Sequence, residues 1–366
     1  MAIEKIDIET FLTLSKNIPV FDVRSPAEYN HAHIPDAISL PLFSDEERKV
    51  VGTLYKQKSR QDAIKAGLDF FGVKMKTMVE EVEAVLKKKK IEVNNDDNPP
   101  LIVHCWRGGM RSAGVAWLLD LYGFKVFTLV GGYKSYRKWA LNQFEKKYPL
   151  TVVGGFTGSG KTEIIQALIN KNIPAIDLEA IAGHRGSAFG NIGLPKPPSQ
   201  EQFENTLALV LHNVSVHATE NLSPIWIEDE SQRLGDINIP KAFWDQMRYV
   251  KLYFLDLPFE ERLIHTVKLY GKLDKMKMIG AIIRIKKRLG GLEAKEAVSA
   301  FMEDRLEDCF RILLKYYDRQ YTKGMETREK LNENRIIIAC ETVEEGNIIT
   351  LLEAAASTNG RNNQVK

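Results

Sequence analysis

Cysteine is scarce in this chain: three in 366 residues, at positions 105, 309 and 340, with no paired-ligand spacing. That scarcity excludes a disulfide framework and offers no zinc pattern. Long apolar runs are missing too. No stretch approaches the roughly 20 residues that a membrane span requires, and the start MAIEKIDIET is too acidic and too poor in apolar residues for a signal peptide. A cytoplasmic protein without a membrane partner is therefore expected. No internal repeat is visible, and neither sign of charge dominates, with 51 Lys and Arg against 48 Asp and Glu. The length suffices for two domains, each with its own core, and 44% hydrophobic with 27% charged residues describes ordinary globular material.

The near-neutral total hides one local excess. Between 268 and 288 stand Lys268, Lys272, Lys275, Lys277, Arg284, Lys286, Lys287 and Arg288, against a single acid, Asp274. Met276, Met278, Ile279, Ile282, Ile283 and Ile285 are interleaved with them. This pattern suits a helix packed on one side that offers the other to RNA phosphates; a solvated helix is the plain alternative.

The stretch Leu101 to Ser112, LIVHCWRGGMRS, places Cys105 between a buried-strand run, Leu101 to Val103, and a helix opening with Ser112 near its cap. Gly108 and Gly109 let the backbone curl so that its N–H groups form an anion-binding nest, and Arg107 and Arg111 add positive charge. Such a setting favours a thiolate able to attack or carry a chalcogen or phosphorus atom. A buried structural cysteine is the alternative, but arginine and glycine are poor company for a core thiol; Cys309 and Cys340, in apolar contexts, fit that description better. Cys105 with Arg111 matches the Cys-x5-Arg loop of cysteine phosphatases, and the same spacing fits a rhodanese-like domain with an enlarged loop.

Upstream residues favour the second. In FDVRSPAEYNHAHIPDAISLP, the residues Asp22, Arg24, Glu28, His33, Ile34 and Pro35 follow the rhodanese pattern, and the strand Lys125 to Leu129 with Gly131-Gly132-Tyr133 completes the resemblance. Short strands are expected at Pro19 to Val23 and Ala37 to Leu40, with an insertion at about 44–93 ending in a helix whose Lys87 to Lys90 form a solvated end. Asn94 to Pro100 reads as a turn-rich surface loop. A helix from Lys134 to about Lys147 leads to Pro149, so the first domain is expected to span 1–148.

The second begins with the strand Leu150 to Gly154, then Gly155-Phe156-Thr157-Gly158-Ser159-Gly160-Lys161-Thr162 and an apolar helix. This is Gly-x4-Gly-Lys-Thr in the strand, loop and helix context that it requires. Gly155, Thr157, Gly158, Ser159, Gly160, Lys161 and Thr162 are the expected diphosphate-binding set, and the Thr162 hydroxyl can ligate Mg²⁺. The strand Pro224 to Ile227 ends in Glu228-Asp229-Glu230, one of which could meet the metal's water shell. Strands at Tyr249 to Leu255 and Arg335 to Ala339 flank a helical region at about 258–334. The domain is expected over 149–356, with a frayed polar tail at 357–366.

A rhodanese-like α/β domain followed by a P-loop α/β domain with a helical basic extension resembles the bacterial tRNA 2-selenouridine synthases over nearly the whole chain. His104 to Ser112, GFTGSGKT, Ala182 to Gly190 (AGHRGSAFG) and Ile227 to Gly235 (IEDESQRLG) match that family's own segments. The resemblance implies replacement of sulfur by selenium in wobble 2-thiouridine of tRNA, with selenophosphate as donor, and geranyl transfer from geranyl diphosphate onto that sulfur. Cys105, Arg107 and Arg111 would be catalytic, with Cys105 carrying selenium as a selenylsulfide or positioning the donor, the carrier role being preferred. His184, Arg185, Ser187 and Asp229 would contact substrate. No tightly bound cofactor is expected, and a selenophosphate supplier is a conceivable partner. Two rival readings are a sulfurtransferase fused to an ATP-dependent small-molecule kinase and a non-catalytic RNA-binding scaffold; keeping Cys105 together with Lys161 speaks against the scaffold.

Overall fold

A computed structural model describes residues 3–91 and 98–362, with side chains described to residue 357. The chain divides into two compact units, Met1–Asn142 and Gln143–Lys366.

The first unit runs β1 (Glu4–Ile6), α1 (Ile8–Leu14), β2 (Val20–Asp22), α2 (Pro26–His31), β3 (Ile38–Ser39), α3 (Asp45–Gln57), α4 (Arg60–Gly72), α5 (Met75–Lys88), β4 (Leu101–His104), α6 (Met110–Leu121), β5 (Val126–Leu129) and α7 (Gly132–Gln143). Its sheet has the order β1-β5-β4-β2-β3, every pair parallel. Strands buried on both faces read as unbroken apolar runs, and β4 and β5 are buried along their whole length. The core gathers Phe21, Val82, Leu86, Val103, Val115 and Phe124. The insertion holds three helices instead of one: Ser44 and Ser59 each accept a backbone N–H three residues on, starting α3 and α4 as separate helices. Most of the loop expected at Asn94 to Pro100 lies outside the described residues. β1, which pairs with β5 in register Glu4 to Phe127, gave too short an apolar signal to be read from sequence.

The second unit runs β6 (Leu150–Gly155), α8 (Lys161–Asn170), β7 (Ala175–Ile176), α9 (Leu178–Ala182), α10 (Gln200–Glu220), β8 (Ile225–Glu228), β9 (Arg233–Leu234), β10 (Ile237–Asn238), α11 (Lys241–Tyr249), β11 (Leu252–Asp256), α12 (Phe259–Tyr270), α13 (Lys275–Leu289), α14 (Gly291–Met302), α15 (Leu306–Glu326), α16 (Leu331–Asn334), β12 (Arg335–Ala339) and α17 (Asn347–Asn362). Its parallel sheet has the order β12-β11-β6-β8-β7, and β9 with β10 forms a small antiparallel hairpin. Open parallel sheets bind ligands beyond the carboxyl ends of their strands. Here β6 ends at Gly155, β7 at Ile176 and β8 at Glu228, so the P-loop and two acid-bearing loops leave the sheet on that side. Helices α12 to α15 close a second core around Met278, Ile282, Phe301, Phe310 and Leu313. α17 continues through Ser357 to Asn362, so the polar tail is helical where fraying was expected, and residues 363–366 lie outside the described part.

One buried ion pair supports the first unit. Arg24, 1% exposed, donates from Nε and Nη2 to Asp22 at 2.6–3.0 Å and from Nη2 to the Ala32 carbonyl at 2.7 Å, and its guanidinium lies 3.9 Å from the centre of the Tyr133 ring. Removing one partner strands a charge in the core. Asp22→Ala should therefore destabilise the first unit by about 3–5 kcal/mol, read as a fall in its denaturant midpoint; a change under about 1 kcal/mol would contradict this account.

Candidate functional site

Cys105 directly follows β4 and is 3% exposed, whereas residues 106–110 after it are exposed. The thiol is thus the floor of a surface loop. It is not surrounded by hydrocarbon alone: the Gly109 N–H donates to Sγ at 3.3 Å, and the Ser112 hydroxyl lies 3.3 Å from Sγ. Burial pushes the thiol up, but the Ser112 hydroxyl and the backbone N–H groups of Ser112, Arg107 and Gly109 outweigh it and hold Cys105 below an ordinary cysteine. By contrast, Cys309 is pushed up to about 12 by burial, and burial raises Cys340 as well.

The loop's shape is enforced from behind. The Tyr133 N–H donates to the Cys105 carbonyl at 2.8 Å and the Lys134 N–H to the Trp106 carbonyl at 3.0 Å. Gly132 has φ +57°, and a Cβ there would stand 2.3 Å from the Cys105 carbonyl oxygen. Gly108 has φ +64° and would meet the Leu129 carbonyl at 2.7 Å. Gly109 is the N-cap, and Ser112, expected near the cap, sits in the first turn, where its hydroxyl reaches the sulfur. Arg111, expected to lend its charge to the loop, is engaged with Glu28 at 2.7 and 3.4 Å. Burial would raise Glu28, but Arg111, the Ser25 N–H and Arg48 hold it down at about 2. The positive character around Sγ thus comes from main-chain amides, with Arg107 exposed beside them.

In the second unit a cleft of about 960 Å³ opens over the P-loop. Of the expected diphosphate set, Thr157 to Thr162 line it, and Gly155 does not. Gly158, at φ +83°, leaves room for α12: a Cβ there would stand 2.5 Å from the Thr266 hydroxyl and 2.8 Å from the Arg262 carbonyl. Arg262 in turn donates to the Thr157 carbonyl at 3.1 Å and pairs with Asp318. Lys161 Nζ donates to the Gly155 carbonyl at 3.1 Å.

Asp229, expected to contact substrate, lines the cleft, but both its oxygens are engaged. One accepts from Arg328 and the other from the Tyr321 hydroxyl at 2.6 Å, and that hydroxyl accepts the Gly155 N–H at 3.2 Å. It is a brace for the P-loop. His184 is also reassigned. It is absent from the cleft wall, and its ring is wedged between Gly190 and Gly235, where a Cβ on either would come within 2.6 Å of it. The wedge joins loop 183–190 to the β9–β10 hairpin, and burial keeps the imidazole below its usual range. Arg185 and Ser187 do line the cleft.

Sequence reasoning missed Glu179 and underweighted Glu230. The Thr162 hydroxyl donates to Glu179 Oε2 at 3.0 Å, and the Glu179 N–H donates to Glu228 Oε1 at 2.8 Å. Burial raises Glu179 despite Lys161 and Thr162. Burial, with the charges of Glu179 and Asp229 and against Lys161, pushes Glu230 up to about 8; burial with its acidic neighbours raises Glu228 far above the carboxylate range. The available signal was Asp177-Leu178-Glu179 directly after Ala175-Ile176, a strand too short to recognise.

The eight basic residues from Lys268 to Arg288 are all exposed. α13 buries Met278, Ala281, Ile282 and Leu289 and turns its lysines outward; Lys275 pairs with Asp304, and Arg284 donates to the Ala188 carbonyl at 3.1 Å. Among the described residues no helix is long and apolar enough to cross a membrane.

Comparison with known proteins agrees with both halves. A model for the rhodanese-like domain matches residues 9–138, and a model described as the tRNA 2-selenouridine synthase AAA domain matches residues 148–344. The chain belongs to the tRNA 2-selenouridine synthase family. It is 34% identical to the tRNA 2-selenouridine synthase of Hydrogenovibrio crunogenus, across 86% of this chain and 91% of that one. To the proteins of the same name from Bdellovibrio bacteriovorus and a Sulfurovum species it is 32% and 34% identical, across 86% and 88% of this chain and 90% and 91% of theirs. In this family member the polarised thiol has a direct test. Ser112→Ala should shift the pH midpoint of Cys105 alkylation by iodoacetamide upward, because a donor to the thiolate is lost; an unchanged midpoint would mean that Ser112 does not set the thiolate.

Proposed function

We propose that this chain is a tRNA-modifying transferase that replaces sulfur by selenium at C2 of wobble 2-thiouridine, first by geranylating the sulfur and then by exchanging it. The observation that carries the reading is the joining, in one chain of this family, of an amide-nested Cys105 to a P-loop whose cleft also has apolar wall residues, among them Leu194, Pro195, Pro198 and Trp244.

A thiocarbonyl sulfur leaves poorly. Alkylation lets it depart as a neutral thiol and makes C2 more electrophilic. Geranyl diphosphate in turn needs its diphosphate held and neutralised as the C1–O bond breaks, which Lys161 and the loop amides do without hydrolysing a nucleotide. Mg²⁺, where bound, would be held by the Thr162 hydroxyl beside Glu179 together with diphosphate oxygens, and would add to the neutralisation that Lys161 supplies.

Selenium in selenophosphate is already at the selenide level, so loading it onto Cys105 as a selenylsulfide would require a two-electron oxidant. Attack of the Cys105 thiolate at phosphorus requires none: the S–P bond forms, the Se–P bond breaks, selenide attacks C2, geranylthiol leaves, and water later frees phosphate from Cys105. The loop amides suit a tetrahedral oxyanion. The exposed basic face of α13, with Lys268 and Lys272, supplies the phosphate contacts for tRNA.

Two outcomes are expected. Nucleoside mass spectrometry of tRNA incubated with geranyl diphosphate and selenophosphate should show selenation lost in Cys105→Ser with geranylation intact, and geranylation reduced about 10²- to 10³-fold in Lys161→Ala; a selenating Cys105→Ser enzyme would overturn the assignment. Binding of tRNA should weaken with salt, and Lys286→Ala and Arg288→Ala should each lower the slope of log K against log salt by about 1.

A further inference from the structure

Exchange at C2 requires the base to be held flat and still beside the Cys105 loop. Loop amides recognise an oxyanion and surface cations meet phosphates, but neither grips a planar ring. A wobble base belongs to a single-stranded stretch of RNA, and bases of that kind are held on aromatic faces, with cations on the flanking phosphates.

The Cys105 loop carries such a face. Trp106, the residue after the thiol, is 38% exposed, and Met110 in the same loop is 52% exposed. Solitary exposed apolar side chains are ordinary on any protein surface. Trp106 differs in being seated. Its ring centre lies 5.5 Å from that of Tyr133 and 5.9 Å from the Arg24 guanidinium, both of them buried, and its carbonyl accepts the Lys134 N–H at 3.0 Å. An indole held in this way has less side-chain freedom to lose when a second ring lies on it.

The rim adds positive charge. Residues 105–111 contain Arg107 and Arg111 and no acid, and Arg111 is matched by Glu28. Arg107 and Lys134 are exposed, and so is Arg60 at the start of α4, whose Nη2 lies 3.9 Å from Met110 Sδ. An aromatic face, a thioether and three exposed cations therefore surround the mouth of the loop, all within the first unit.

We propose that Trp106 is the stacking platform for the wobble base during selenium exchange, with Arg60, Arg107 and Lys134 engaging the phosphates that flank it. This rests on the selenation reading above. The residue beside the thiol then selects for a planar base in single-stranded RNA, and recognition and chemistry share one turn of chain, so that C2 is presented where selenide is released.

The test uses the full-length enzyme, selenophosphate and an anticodon stem-loop RNA carrying S-geranyl-2-thiouridine. Trp106→Leu should lower kcat/KM for selenation about 5- to 100-fold, the worth of one base stacked on an aromatic ring, and Trp106→Phe should recover most of the loss. Leucine keeps apolar contact for a prenyl chain but has no π face. Wild-type kcat/KM in Trp106→Leu, or a Trp106→Phe enzyme no better than Trp106→Leu, would therefore overturn the stacking role. The pH midpoint of Cys105 alkylation by iodoacetamide should be the same in both variants as in the wild type; a shifted midpoint would mean that the indole shapes the loop instead of holding a base, and would also overturn the proposal. A wild-type enzyme that leaves the geranylated RNA unselenated would instead overturn the reading on which it rests.

Discussion

A buried arginine-aspartate pair stands behind each of two loops, the Cys105 loop and the P-loop. In the first unit Arg24 clamps Asp22 and stacks on Tyr133, whose N–H fixes the Cys105 carbonyl. In the second, Arg328 clamps Asp229, which accepts from Tyr321, whose hydroxyl takes up the Gly155 N–H at the mouth of the P-loop. Neither arginine touches a reacting group. Each spends a costly buried charge to fix the backbone of a loop that works through its own N–H groups, and main-chain donors act only where the chain holds them. The two loops share no sequence, yet both begin at the carboxyl end of a parallel strand, and both are held from beneath the sheet surface by side chains distant in sequence.

Electrostatics divides the chemistry between the loops. Around Cys105, hydrogen-bond donors outweigh burial and favour the charged sulfur. Around Glu179, Glu228 and Glu230, burial and mutual repulsion outweigh Lys161 and favour protonated acids. The first surroundings favour a charged sulfur and the second favour neutral acids.

Much of the fold was legible because its signals are local. The apolar runs at 101–104, 150–155 and 225–228 are strands, the Gly-x4-Gly-Lys-Thr turn sits where strand and helix demand, and Asp22, Arg24 and Gly132 mark the first unit's frame. What escaped was set by contacts across the fold. The two-residue strand β7 has no periodicity to detect, so Glu179 carried no flag. His184 looked like a substrate contact because its segment is polar and flanked by glycines; Gly190 and Gly235, the latter far along the chain, are what make room for its ring. Asp229 and Arg111 have the right residue types for their expected roles, but Arg328 and Glu28, 99 and 83 positions away, claim them. No spacing rule reveals such a partner.

The restraint of Gly132 against the Cys105 carbonyl has an energetic consequence for whatever enters that loop. A flexible loop gives up conformational freedom when it closes on a small anion, and the loss is subtracted from affinity. Here Tyr133 and Lys134 have already fixed the main chain on both sides of the thiol. For a ligand of only a few atoms, with little surface of its own to contribute, such a socket would need no further ordering beyond what folding settled.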